Sequence, residues 1–357
     1  MTWIAVAGGE TAWTSPDRFP QDPVARHRLL MRGSLVIETR LSPEERPQCL
    51  LRYARRHPWS GHISLQAVPG GGVVLVMVQG AAEFHTVLPP ISDARTDVLR
   101  LTFSWDAPAK WGRLSVERPE HDGVRSIDTP PPPPLMLEDI YTMIHRPQLC
   151  DRDADVQFFA VSDAIEPVGP MPSLHGSALV RTAQGDRSLA SIQPGDRVVT
   201  RDSGLQPVLA VVRRTVPALG AFRPVRLRAP YLGLCDDVVV APHQRLVIGG
   251  SEVEYTFGRE SVLIPAAALV NGFTGVFEDA TLFTEYVQLL LPRHDALLVA
   301  DAGFESLYIG RLRRRSDRLS ATLLAGVDPS GLPEHHRAGY QVLRPFEAIT
   351  LAEARAA

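Results

Sequence analysis

Short β-rich segments bounded by glycine, proline or aspartate dominate this sequence and constrain its fold more than any other feature. In the first half, the segments that we predict as strands are 33–41, 61–68, 72–80, 98–106, 112–118 and 156–165. Their β-branched and aromatic residues, and the spacing of the turns between them, are typical of a β-sandwich. A second series of such segments lies between residues 196 and 301, and a short helix is predicted over 135–144. The sequence therefore predicts an all-β chain.

The segment EPVGPMP at 166–172 separates the two series. Its prolines and glycine are typical of a linker, because proline cannot donate a hydrogen bond to a strand ladder. We therefore predict a β-sandwich over 1–165, a linker over 166–172, a second β-fold domain over 173–317 and a C-terminal extension over 318–357. For the end of that extension, PFEAITLAEARAA, we predict a strand and a frayed terminus.

Composition limits the functions that this chain can have. The 357 residues are 45% hydrophobic and 22% charged, which is sufficient for two buried cores. The net charge of −3 does not favour binding to nucleic acid. No uninterrupted apolar run reaches about 18 residues, so no membrane insertion is expected. The N-terminus lacks the basic and apolar parts of a signal peptide, so a cytoplasmic location is the default, with non-classical export left open.

Metal and disulfide sites are not expected. Three cysteines lie far apart in the sequence: Cys49, Cys150 and Cys235. They form no CxxC pair, so we predict buried free thiols rather than a zinc site or a disulfide framework. The pairs His335-His336 and His121-Asp122 have no third ligand nearby in the sequence. The sequence therefore predicts no metal and no other cofactor.

Several blocks in the second half follow one another in a recognisable order. They are SLASIQPGDRVVTRD (188–202), LQPVLAVVRR (205–214), FRPVRLRAP (222–230), DVVVAPHQRLVI (237–248), VLIPAAALVNG (262–272) and EYVQLLLPRHDALLVADAGFESLYIG (285–310). Within the first block, Pro194 and Gly195 favour a tight turn whose backbone Asp196 can bond. In this order the blocks resemble the Hint family, the fold shared by Hedgehog C-terminal domains and inteins, in its bacterial stand-alone form. The resemblance runs from about residue 170 to about residue 312.

The N-terminal region resembles a concanavalin-type, laminin-G-like sandwich. This resemblance depends on GSLVIETRL (33–41) and LTFSWDAPAKWGRLSVE (101–117). It implies a glycan or a protein as partner. Because no calcium-ligand cluster is evident, a purely structural sandwich is favoured over glycan or surface binding.

The Hint resemblance implies self-cleavage chemistry. In the family, the thiol of the first cysteine attacks the preceding carbonyl, a histidine protonates the leaving nitrogen, and a serine or threonine polarises the scissile peptide. Here Ser173 aligns with that cysteine, which makes Pro172–Ser173 the scissile bond. Its hydroxyl is a much weaker acid than a thiol, whose pKa is about 8.5, so it needs an effective base.

The remaining family positions also differ. The Ser/Thr-x-x-His block reads Ala241-Pro242-His243-Gln244, so the hydroxyl is absent and the histidine is replaced by a glutamine that cannot act as acid or base. His243 lies one residue earlier, and on a strand it would point to the opposite face. A further family histidine aligns with Gln288.

Other residues remain as candidates or are excluded. His294 lies in a block that the family keeps as Arg-His-Glu, and His175 is close enough to Ser173 in sequence to be considered as a base. The single asparagine, Asn271, is predicted in a mid-domain turn, so terminal cyclisation of a splicing reaction is excluded. The candidate catalytic residues are Ser173, His243, Gln244 and His294.

The sequence leaves three alternative functions for this chain. The first is a Hint domain whose self-cleavage has been lost and which is retained as a structural or binding module, so enzymatic activity is left undecided. The second is slow self-cleavage at Pro172–Ser173 by an N–O acyl shift. The third is glycan or surface binding by the N-terminal sandwich.

Overall fold

The computed structural model describes residues 2–41, 46–69, 72–89, 98–119, 123–278, 281–336 and 339–356. Strands predominate and helices are few, which confirms the all-β prediction. The chain divides into two compact units, Met1–Val168 and Gly169–Ala357. No helix in the described ranges combines the length and the apolar character needed to cross a membrane.

The N-terminal unit consists mainly of antiparallel strands. They are Trp3–Gly8 (β1), Thr11–Thr14 (β2), Leu29–Leu30 (β3), Arg32–Arg40 (β4), Gln48–Arg55 (β5), Gly61–Val68 (β6), Gly72–Gln79 (β7), Ala82–Leu88 (β8), Val98–Asp106 (β9), Trp111–Glu117 (β10), Val124–Thr129 (β11), Leu135–Met136 (β12), Cys150–Asp151 (β13) and Val156–Ser162 (β14). One sheet has the order β11-β10-β9-β4-β14-β1-β2, and a second has the order β13-β5-β6-β7-β8. The short strands β3 and β12 pair separately.

The two larger sheets of this unit share one apolar core. Ile37 and Phe103 from the first sheet join Leu65 and Leu75 from the second in the same buried cluster. Burial of each such side chain contributes about 1.5–3 kcal/mol, so the core holds the sheets face to face. The predicted β-sandwich is therefore confirmed.

One α-helix of this unit packs against the core. Helix α1, Leu137–His145, begins two residues later than the predicted helix and ends one residue beyond it. Its residues Ile140 and Met143 are buried in the core, one helical turn apart. On the same helix, Asp139 forms a buried ion pair with Arg55 of β5 at 2.6 Å, which ties α1 to the five-stranded sheet.

The C-terminal unit has a second set of strands. They are Leu174–His175 (β15), Leu179–Thr182 (β16), Gly185–Ser188 (β17), Arg197–Thr200 (β18), Gly204–Pro207 (β19), Ala210–Pro217 (β20), Val225–Leu227 (β21), Val238–Val240 (β22), Arg245–Gly249 (β23), Ser261–Pro265 (β24), Gly275–Phe277 (β25), Phe283–Leu290 (β26), Ala296–Val299 (β27), Ala302–Glu305 (β28) and Gln341–Val342 (β29). Its helices are Ser251–Phe257 (α2), Ser316–Leu319 (α3) and Pro345–Ala356 (α4).

These strands form two sheets around one core. The first has the order β20-β26-β15-β22-β21-β25, and the second has the order β17-β16-β18-β27-β28-β23-β24-β29, with β19 paired to β18. Leu174 and Val240 of the first sheet and Leu246 and Phe304 of the second belong to the same buried cluster. The short central strand β15 is thereby held between β22 and β26, and it leads directly from Ser173.

The end of the chain differs from the sequence prediction. PFEAITLAEARAA forms α4 rather than a strand with a frayed terminus, so that prediction was wrong. Ala348, Leu351 and Ala352 are spaced for one helix face and are buried in the core of the C-terminal unit. The helix starts at Pro345, a residue that favours the first helical position. The Glu347 carboxylate accepts a hydrogen bond from the Arg344 N–H at 2.8 Å, which also fixes this start.

Candidate functional site

Ser173 is placed by the pairing of the strand that follows it. Leu174 of β15 pairs with Val240 of β22 on one side and with Val287 of β26 on the other. The next residues along those neighbours, Ala241 and Gln288, are thereby brought beside Ser173. The Ala241 N–H donates to the Ser173 carbonyl at 2.7 Å, which extends the ladder by one residue.

A turn places Gln244 against Ser173. The Gln244 N–H donates to the Ala241 carbonyl at 3.0 Å, so Pro242 and His243 lie at the centre of a four-residue turn. The expectation that His243 and Gln244 occupy opposite faces of a strand was therefore wrong, because β22 ends before Pro242, which cannot donate to a ladder. Of these two residues, Gln244 contacts the Ser173 side chain, and His243 is half-buried in the turn.

Three neutral side chains meet here, and we call Ser173, Gln244 and Gln288 the amide cluster. The Ser173 hydroxyl donates to Gln244 Oε1 at 2.6 Å, and Gln288 Nε2 donates to the same oxygen at 3.2 Å. Gln288 Nε2 also lies 3.5 Å from Ser173 Oγ. The amide nitrogens of both glutamines donate to the Glu305 carbonyl, at 3.3 Å from Gln244 and 2.7 Å from Gln288.

The amide cluster is buried and neutral. All three of its residues are buried, Gln244 being only 1% exposed. Among the described residues, no ionisable side chain hydrogen-bonds to Ser173 Oγ, and Gln288 Oε1 is buried without a hydrogen-bond partner. A glutamine amide accepts a hydrogen bond from the hydroxyl but cannot take its proton near neutral pH. The cluster can therefore hold Ser173 in place without activating it.

A second group, the charged cluster, contains Arg245, His294 and Glu305. His294 Nε2 lies 3.0 Å and Arg245 Nη1 3.3 Å from Glu305 Oε1, and all three side chains are largely shielded from solvent. His294 Nδ1 accepts a hydrogen bond from the Gly339 N–H at 3.1 Å. His294 therefore faces the Glu305 carboxylate, whereas the amide cluster bonds to the Glu305 main-chain carbonyl.

His335 packs against the charged cluster. The His335 ring lies 5.9 Å from the His294 ring, and it accepts from the Ile309 N–H at 3.3 Å while its Nε2 bonds the Leu291 carbonyl at 3.1 Å. Burial is the largest cause that lowers the pKa of His335, to about 4. The imidazole is therefore neutral at physiological pH and has a structural role in holding the extension.

The other sequence candidates lie away from the amide cluster. His175 Nδ1 bonds to the Ser177 hydroxyl at 2.7 Å, on an exposed part of the strand end. Asn271 Oδ1 accepts from two backbone N–H groups, those of Phe273 and Thr274, in the predicted mid-domain turn. The His175 side chain is thus bonded to Ser177, and Asn271 is bonded within its own turn.

Comparison with known families decides the assignment of this unit. Residues 172–311 match the family model described as Hint domain. The C-terminal unit contains a Hint domain. No curated protein matches the chain.

Solved structures with some likeness to the chain include an intein and parts of sialidases. The gp41-1 intein is 11% identical, with 38% of this chain and 98% of that chain covered and a TM-score of 0.26. The CBM40 of the Ruminococcus gnavus IT-sialidase is 14% identical, with 45% of this chain and 77% of that chain covered and a TM-score of 0.25. The leech intramolecular trans-sialidase is 10% identical, with 52% of this chain and 32% of that chain covered and a TM-score of 0.28. Likenesses at this level say nothing of a shared activity.

The signature turn of the Hint domain has the predicted geometry. Gly195 has a φ of 93°, and the Asp196 N–H donates to the Gln193 carbonyl at 3.1 Å. Asp196 Oδ2 in turn accepts from the Gln193 N–H at 2.9 Å. The prediction of a tight turn bonded by its own aspartate is confirmed.

The cysteines and histidines form no metal site within the described residues. All three cysteines are free, and burial raises the pKa of Cys150 to about 11. The prediction of buried thiols holds for Cys150 but is wrong for Cys235, which is exposed, and Cys49 is half-buried. His121 and Asp122 lie outside the described residues.

The N-terminal unit contains a groove of about 570 Å³ that was not predicted from the sequence. It is lined by Leu29, Trp59, Gln79, Gly80, Ala82, Glu83, Phe84 and Pro131–Pro134. The loop after β5 provides Trp59, the β7–β8 hairpin provides Gln79 and Glu83, and the segment after β11 provides the prolines. Trp59, shortly before the predicted strand 61–68, is a sequence signal that could have indicated this groove.

Proposed function

We propose that the Hint domain of this chain is a folded module that no longer cleaves itself and that serves a structural or binding role. The observation that carries this proposal is the bond between the Ser173 hydroxyl and the amide oxygen of Gln244. An N–O acyl shift requires a base for that hydroxyl and an acid for the leaving nitrogen. Each positioned acid or base is worth about 10²–10⁴-fold in rate, and the amide cluster contains neither.

The ionisable groups of the domain support the same proposal. His294 is held between Glu305 and the Gly339 N–H, so both of its ring nitrogens already have neighbours. The Glu305 carbonyl, not its carboxylate, accepts from Gln244 and Gln288. The charged cluster therefore stabilises the fold around the amide cluster without exchanging protons with Ser173.

The intact mass of the purified full-length chain tests this proposal. We expect a single species of 39.1 kDa after prolonged incubation, with or without hydroxylamine. Ser173→Ala and, as a matched control at an exposed serine, Ser177→Ala should behave identically. Fragments corresponding to 1–172 and 173–357 that form in the wild type and in Ser177→Ala, but not in Ser173→Ala, would contradict the proposal and establish slow self-cleavage.

A second candidate function belongs to the N-terminal unit, for which we propose glycan binding. The observation that favours it is the groove at one end of the sandwich, where Trp59 is 37% exposed. Concave sites with an exposed aromatic ring and a few polar groups are typical of small-molecule binding. Incubation of the labelled full-length chain with an array of neutral and charged glycans tests this function, and retention of no glycan would refute it.

A further inference from the structure

The polar groups of the Trp59 groove restrict what can occupy it. Glu83 is exposed on β8, and among the described residues it has no ion-pair partner. The segment Pro131–Pro134 contributes carbonyl groups and, being proline, no N–H donors. Among the described lining residues, Glu83 carries the only formal charge, and it is negative. This lining favours a neutral occupant that brings hydrogen-bond donors over an anion.

Gln79 lines one part of the groove. Gln79 Oε1 accepts from Arg55 Nη2 at 3.3 Å, which orients the amide. Gln79 Nε2 is buried, and the described part of the chain offers it no hydrogen-bond acceptor. Because this nitrogen is shielded from solvent, it lies behind the surface of the groove, and Gln79 contributes to the groove wall rather than a donor to the occupant.

The tryptophan ring is held in place before any ligand binds. The Arg55 guanidinium lies 5.1 Å from the centre of the Trp59 ring and donates to the Trp59 carbonyl. Arg55 is itself fixed by the buried ion pair with Asp139. Because the aromatic platform is preorganised, binding does not have to order it.

We infer that this groove binds a neutral saccharide, with one sugar ring packed on Trp59 and hydroxyl groups donating to Glu83. A sugar combines an apolar C–H face with hydroxyl groups that both donate and accept. This inference is based on the proposed glycan binding and names its ligand class. A sialylated glycan is disfavoured at this position, because its carboxylate would face Glu83.

Binding of lactose, cellobiose and N,N′-diacetylchitobiose to the full-length chain tests this inference, with 3′-sialyllactose as the charged counterpart of lactose. Titrations followed by saturation-transfer NMR should show binding of at least one neutral sugar. Trp59→Ala should weaken it at least about tenfold, and Trp59→Phe should retain part of it. Trp111→Ala is the matched control, because Trp111 also lies against an arginine, Arg113 at 5.5 Å, but does not line the groove.

Charge provides an independent measurement. The wild type should prefer lactose to 3′-sialyllactose by at least about threefold at low ionic strength, and Glu83→Gln should abolish most of this preference.

Glycan binding that is unaffected by Trp59→Ala, or that favours 3′-sialyllactose, overturns the inference and leaves glycan binding itself in place. Failure of the array to retain any glycan overturns both. Binding of a proline-rich peptide with no neutral sugar bound also overturns the inference.

Discussion

In the amide cluster of the Hint domain, Ser173 is bonded to Gln244, and Gln288 completes a neutral group. In the charged cluster, His294 and Arg245 face the carboxylate of Glu305. The two clusters meet at Glu305, which presents its carbonyl to one and its carboxylate to the other. The Ser173 hydroxyl is thus on the side of the Glu305 carbonyl, and the ionisable side chains His294 and Arg245 are on the side of its carboxylate.

This difference separates a buried hydroxyl with neutral partners from a group of ionisable side chains within one domain. Neutral amides satisfy buried hydrogen bonds at low cost, whereas a buried charge requires a partner. Gln244 and Gln288 therefore fill the space beside Ser173 without a counter-ion. His294 keeps its carboxylate partner and contributes to stability, and we expect each cluster to respond differently to substitution.

The largest effect is expected when the amide cluster is given ionisable groups. In the variant Ser173→Cys/Ala241→Thr/Gln244→His, a thiol replaces the hydroxyl and a histidine occupies the position that bonds it. We expect cleavage after Pro172 induced by dithiothreitol, at least about 10²-fold faster than in Ser173→Cys or Gln244→His alone, because the groups act as one unit. Fragment masses measure the rate. A folded triple variant that remains uncut would refute the assigned roles of these positions.

Removal of the shared carboxylate should cause the largest loss of stability. Glu305→Ala removes the group that faces both His294 and Arg245, at a cost of about 3 kcal/mol in the free energy of unfolding. Urea denaturation measures the loss. Glu305→Gln, which keeps the volume and one acceptor oxygen, is the matched control and should cost less. A loss below about 1 kcal/mol in Glu305→Ala would mean that the charged cluster contributes little to the fold.

His335, which packs against the charged cluster, should make the stability of the fold depend on pH. Because burial lowers the pKa of His335 to about 4, the unfolded imidazole, with a pKa of about 6.5, binds its proton first as the pH falls. His335 therefore stabilises the fold above about pH 6.5, and this contribution is lost between about pH 6.5 and about pH 4. His335→Gln, which can keep both hydrogen bonds, should flatten that slope in thermal unfolding. His336→Gln, at the exposed neighbour, should leave the slope unchanged; equal slopes in all three proteins would refute the assignment.

The smallest effect is expected at the serine itself. Ser173→Ala removes one donor to Gln244 Oε1, which keeps the bond from Gln288 Nε2 at 3.2 Å. We expect a loss of about 1 kcal/mol in the free energy of unfolding, compared with less than about 0.5 kcal/mol for Ser177→Ala at the surface. Chemical denaturation of both variants measures the difference. A loss above about 3 kcal/mol for Ser173→Ala would show that the cluster depends on the hydroxyl.

Local features of the fold could be predicted from the sequence. The turn at Gly195 follows from residues adjacent in the chain, and strands such as Gly61–Val68 and Val98–Asp106 have the bounds that their composition predicts. The helix Pro345–Ala356 was missed although its signals were local. Its alanines and the helical spacing of its buried residues favour a helix over a strand.

The sequence by itself determined that this chain is all-β and that residues 172–311 match the Hint domain, and it predicted serine and glutamine at the family's reactive positions. Only the tertiary structure decided which side chains meet. Ser173 is 71 residues from Gln244, and Gln244 is 44 residues from Gln288, so strand pairing rather than local preference joins them. The same holds for the Trp59 groove, whose lining comes from segments that are distant in the sequence. Residue types are a property of the chain, but contacts between distant segments arise only when burial of both sheets brings those segments together.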